Sequence, residues 1–211
     1  MKNHLYLFIL LGSISFLFAQ KNTKKVIDFN GDFIQIDLGK IDHLEIQQTN
    51  QSKVTISTKE LQQEASFLQV EQENSTLYIR QNNTNINRVE LPACIEQPLF
   101  TSYVIRIPKN IKIMVNIDSG NFSTNHFTGD LNLNINNGEV DCSNCSGNIN
   151  IKNIDGIIIC NTTIQNIQAN SHLGKVVQGQ KKYTKSKKDT KDLLIIETIR
   201  GNIFINSNKM P

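Results

Sequence analysis

The sequence predicts an all-β chain whose second half winds as a β-solenoid, and three observations predict it. Glycine recurs at 120, 129, 138, 147 and 156, nine residues apart each time, with Gln165 in the next slot and Gly174 in the one after. The third residue of every unit is large and apolar: Phe122, Leu131, Val140, Ile149, Ile158, Ile167 and Val176. Upstream, short segments alternate apolar with polar residues, the mark of strands with one buried face. A fixed short period with one glycine per unit is the signature of a repeat architecture.

Within a unit, positions three and five share a face because strand side chains alternate. The fifth position is apolar or small: Leu133, Cys142, Ile151, Cys160, Ala169 and Thr124. The eighth is mixed, with Phe127, Cys145 and Ile154 against Asn136, Thr163 and His172. Intervening residues such as Asn132, Asn134, Asn148, Asn150 and Lys152 are polar and are expected to stand outward. Glycine opens each unit because the corner needs a backbone conformation that other residues resist. Two units per coil and three per coil both fit this pattern.

The N-terminus reads as a secretory signal peptide over residues 1–19: Lys2, an apolar run at 5–18, then the small Ala19 before Gln20. The run is short for a membrane span, which takes about 20 apolar residues. No later stretch approaches that length, so no transmembrane segment is expected after cleavage. No cysteine follows the run, so a lipoprotein anchor is not expected. Export would place the chain in the periplasm, at the outer membrane or outside the cell. The rest, 20–211, is expected to form a single domain, with an irregular β-rich half at 20–110 and a repeat half at 111–211. With 22 basic and 19 acidic residues the chain is near neutral, and nothing in that balance points to nucleic acid.

Strands are expected at 33–38, 44–46, 53–58, 68–70, 76–80 and 103–107. Asn30 and Gly31, Gly39 and Lys40, and the run 50–52 supply turn chemistry between them. Residues 59–66 carry a weak helical signal, and 81–100 lacks alternation and holds Pro92 and Pro98, so it reads as a long loop. Pro108 ends the strand before it, because proline cannot donate to a ladder. Residues 111–117 open the regular array. Late in the chain Gly201 resumes the register, and 201–206 (GNIFIN) closely resembles 147–152 (GNINIK). The unit before it places Leu194, Ile196 and Ile199 in the apolar slots, and a basic excursion at 181–191 replaces one coil segment.

This order of features resembles the putative adhesin families of unknown function common in secreted Bacteroidetes proteins. The likeness rests on the strand 103–107 leading into Pro108, the Gly-x-apolar-x-apolar units ending at Ile205, and the leader ending in Phe18, Ala19 and Gln20. It implies a right-handed β-helix-like fold and a cell-envelope or surface role, and it carries over no catalytic residues. The lysine-rich excursion and a Cys-x-x-Cys pair depart from it.

Cys142 and Cys145 form that pair. A redox site would need a helix N-terminus and zinc would need a second ligand pair, and neither is expected. Both fall in inward slots, as does Cys160, so the three are core cysteines or disulfide partners; Cys94 lies in the long loop. Lys181, Lys182, Lys185, Lys187, Lys188 and Lys191 share one short run with a single acid, Asp189. The run is a candidate site for an anionic ligand, set against a solvated insertion that blocks edge pairing. Asp118, Asp130, Asp141 and Asp155 are dispersed, and His126 and His172 are isolated. No metal site, cofactor site or catalytic group is expected.

Three functions compete. The first is a non-enzymatic, adhesin-like binding or structural module of the envelope or surface. Its partner would be a cell-surface glycan, lipopolysaccharide or an envelope protein. The second is a periplasmic assembly or regulatory factor that binds a protein through a strand edge. The third is a carbohydrate-active β-helix enzyme, which would need acids clustered on one exposed face.

Overall fold

The computed structural model describes residues 24–58, 68–81, 101–179 and 192–206. Their regular structure is all β-strand, with no helix among the described residues. The first half supplies β1 (Lys24–Asp28), β2 (Phe33–Thr49), β3 (Lys53–Thr58), β4 (Leu68–Glu73), β5 (Thr76–Gln81) and β6 (Ser102–Pro108). The second half supplies β7 (Lys112–Asn125), β8 (Thr128–Asn137), β9 (Val140–Asp155), β10 (Ile158–Thr162) and β11 (Asn166–Ser171). It closes with β12 (Val176–Gln178), β13 (Leu193–Arg200) and β14 (Ile203–Ile205).

These strands form two ladders, because β2, β7 and β9 each serve one ladder with their first part and the other with their second. The first ladder runs β4, β5, β2, β7, β8, β9, β13, β11. The second runs β1, β3, β6, β2, β7, β9, β10, β14, β12. Antiparallel pairing is confined to the N-terminal edge, and from β2 onward the stack is parallel. Apolar side chains alternate inward from both ladders into one continuous core.

Parallel neighbours are one coil apart. Ile113 faces Leu131 and Leu131 faces Ile149 in the first ladder. Phe122 faces Val140 and Val140 faces Ile158 in the second. Side chains bonded across these rungs are 18 residues apart in sequence, so one coil spans two glycine intervals. The stacking begins earlier than the glycine spacing does. β2 pairs with β7 from Phe33 opposite Lys112 to Ile46 opposite Thr124. Gly39 and Lys40 are therefore not a turn between separate strands; they lie inside β2, where the register shifts between Lys40 and His43.

The two corners of a coil differ, which accounts for the mixed eighth position. At one corner His126 and Asn144 adopt φ of 57° and 55°. This left-handed step turns Phe127 and Cys145 into the core. At the other corner Asn136 and Ile154 face outward ahead of Gly138 and Gly156. Ile154 and Ile199, expected in apolar slots, are 41% and 47% exposed for that reason. Thr124, the polar exception at position five, is buried and donates its hydroxyl to the Ile46 carbonyl at 2.9 Å.

Glycine at the second corner answers to backbone packing. A Cβ on Gly138, whose φ is +149°, would fall 1.8 Å from the Gly120 carbonyl oxygen. The same stack continues with Gly156 against Gly138, Gly201 against Gly156 and Gly174 against Gly201. Its order is not the chain order. The last coil, β13 and β14, lies between the β9–β10 coil and the earlier β11–β12 coil. Burial explains the inversion. Leu194, Ile196, Ile203 and Ile205 are all buried; the interior slot gives the first three apolar neighbours on both sides and sets Ile205 between Cys160 and Gln178. The β11–β12 coil offers only the half-buried Ile167, Ala169 and Ser171 and, opposite Ile203, a Val176 that is 43% exposed despite its position-three slot, because no further coil covers it; that composition suits a terminal cap.

Candidate functional site

The outer face of the first ladder carries the site. Residues that alternate outward fall into rows because the rungs are in register. One row is a hydrogen-bonded rail. Asn134 donates to Asn116 at 2.8 Å, Asn116 donates to Asp37 at 2.7 Å, and Arg80 sits 3.8 Å from the same carboxylate. Lys152 and Glu197 extend it at 3.6 Å.

Beside the rail the face dips into an open groove of about 270 Å³. Phe33 on β2 forms one wall, and Leu193 and Ile195 on β13 form the other. Between them lie Lys112, Asp130, Asn132, Asn148 and Asn150. Lys112 approaches Asp130 at 3.8 Å, and the Asn148 amide donates to Asp130 at 3.0 Å. The one cation and one carboxylate cancel, so the groove is neutral. Asn150 Oδ1 is shielded from solvent and has no hydrogen-bond partner among the described residues. An unmet acceptor of this kind is costly. The groove thus offers carboxamide groups and one lysine–aspartate pair between apolar walls.

The sequence-predicted residues lie elsewhere. Cys142, Cys145 and Cys160 are free and buried in the second ladder, where Cys142 faces Cys160 across a rung. Cys145 donates to the Ser143 carbonyl at 3.5 Å. The hydrogen bond to Cys145 lowers the Cys142 pKa, but contact with the Cys160 thiol and burial outweigh it and hold the thiol well above its ordinary value. The hydrogen bond with Cys142, then burial, push Cys145 far up. All three cysteines are buried core side chains. The six lysines Lys181, Lys182, Lys185, Lys187, Lys188 and Lys191 lie outside the described residues, as do Cys94, the 1–19 leader and the segment 59–66. Among the described residues no three metal-ligating side chains cluster, and no helix is long and apolar enough to cross a membrane.

The groove escaped the sequence reading. Asn132 and Asn150 were recognisable as outward polar positions, but their convergence with Leu193 and Ile195 depends on the inserted last coil.

Comparison with known proteins fits this architecture. A cell adhesion protein described as putative, from Clostridium sporogenes, superposes with a TM-score of 0.61 at 18% identity, over 88% of this chain and 99% of that one. A putative adhesin from Bacteroides fragilis matches at 12% identity over 89% of this chain and 98% of that one, with a TM-score of 0.43. No curated protein matches the chain. The family model described as Toastrack DUF4097 matches residues 32–209, nearly the whole described structure, and the chain belongs to that family.

Proposed function

We propose that this chain is an exported, non-enzymatic binding module of the cell envelope or surface, and that the groove on the first ladder takes a neutral glycan. The observation that carries the reading is the uncharged groove in which the carboxamide side chains Asn132, Asn148 and Asn150 lie between apolar walls. A sugar presents hydroxyls to carboxamides and C–H faces to Phe33, Leu193 and Ile195. The Lys112–Asp130 pair leaves no net charge to attract a phosphate or sulfate.

Export through residues 1–19, a single domain over 20–211 and a right-handed coil of paired nonapeptides belong to the same reading. Parallel crossovers are right-handed in about 98% of cases, which supports the hand. The description of the Clostridium sporogenes neighbour as a cell adhesion protein is in keeping with a surface role. The lysine run at 181–191 is a second, independent surface for anionic polymers such as lipopolysaccharide.

The test is binding to a printed array of neutral, sialylated and sulfated glycans at low and high salt. Neutral glycans should bind with little salt dependence, and Asn150→Ala should weaken them about tenfold. Binding confined to anionic glycans and lost in salt would move the ligand to the lysine run. No binding at all would remove the glycan reading.

A further inference from the structure

We propose that the last coil, residues 192–206, exchanges between copies of this chain, so that β13 and β14 of one copy fill the interior slot of another. This stands apart from the glycan reading. The slot lies between two coils that are consecutive in sequence. β10 ends at Thr162 and β11 begins at Asn166, so the chain steps across the slot before the coil that fills it has been made. That coil is held on both sides by parallel rungs, Ile196 against Ile151 and against Ala169, and Ile203 against Ile158 and against Val176.

The slot can also close without it. Ile167 and Val176 follow Ile149 and Ile158 by the same 18 residues that separate bonded neighbours elsewhere, so β11 and β12 have the register to stack directly on β9 and β10. The body therefore keeps a defined packing while its own coil is away. Twelve residues separate Gly179 from Asp192 in sequence, a contour length of at most about 40 Å. In a reciprocal exchange every rung of the monomer is made again between copies, so the added cost is that of association. Leu193 and Ile195 travel with the coil, so the groove of such a dimer is built from two chains.

Two full-length variants test this. Ile196→Asp spoils the donated coil, and Ile151→Asp spoils the accepting body; both side chains are fully buried. Refolded alone, each should lack the wild-type melting transition. Refolded together, they should give a two-chain species in which about half of the β-signal melts near the wild-type temperature. Wild-type chain refolded at high concentration should likewise yield a dimer that survives dilution, read by mass photometry. Either result supports exchange. A mixture with no new transition, together with a wild type that returns only as single chains, overturns it.

Discussion

Gly201 stacks directly on Gly156: a Cβ placed on Gly201 would fall 1.8 Å from the Gly156 carbonyl oxygen. Gly174, earlier in the chain than Gly201, stacks on the far side of it. The coil that carries Leu193 and Ile195 thus lies between two coils that precede it in the chain.

Glycine substitutions separate two effects. Gly138 and Gly129 both have positive φ, +149° and +131°, but a Cβ at 138 meets the Gly120 carbonyl whereas the nearest atom at 129 is 3.7 Å away. Gly129→Ala should cost about 1–3 kcal/mol for conformation alone. Gly138→Ala should cost about 1–3 kcal/mol more, from overlap. Urea unfolding reads the difference, and equal costs would contradict the corner packing.

Coil order has its own signature in core mutations. Ile196→Ala, in the interior coil, should cost about 2–5 kcal/mol. Ile167→Ala, in the half-buried outer coil, should cost less than about 1.5 kcal/mol, because little surrounds it to leave a cavity. If the coils stacked in chain order the ranking would reverse. Unfolding midpoints of the two variants decide between them.

The buried thiols make stability fall in alkali. Cys142 and Cys145 hold their protons above the ordinary value of 9.0, so the unfolded chain ionises first. The stabilisation is complete below about pH 9 and is lost as pH rises beyond it, by up to about 1.4 kcal/mol per pH unit for each thiol. Denaturation midpoints at pH 8 and pH 10 measure the fall, and Cys145→Ala should make it shallower. A flat profile would mean that the thiols are not buried together.

Much of the fold was legible because glycine spacing and strand alternation both report backbone geometry directly. Phe122, Leu131, Val140, Ile149 and Ile158 are all buried, as position three required. The mixed eighth position hid a regularity, since Phe127 and Ile154, 27 residues or one and a half coils apart, sit at the two different kinds of corner. Ile199 points outward although it is apolar, because the alternation of β13 gives the inward position to its neighbour Thr198, which is buried opposite Asn153. The groove was illegible for a topological reason. Asn150 and Ile195 meet only because the last coil enters the stack out of chain order. No local pattern encodes that choice; it follows from which coil has more apolar surface to bury.

The most direct test of the binding reading is retention of the full chain on washed cell-envelope fragments. Wild type is compared with an Asn132→Ala, Asn150→Ala double variant and with a variant whose six lysines at 181–191 are serine. Both altered chains should first match the wild type in melting temperature. The account predicts that the groove variant is retained at least about tenfold more weakly, while the lysine variant is retained like the wild type at high salt. Undiminished retention of the groove variant would contradict it.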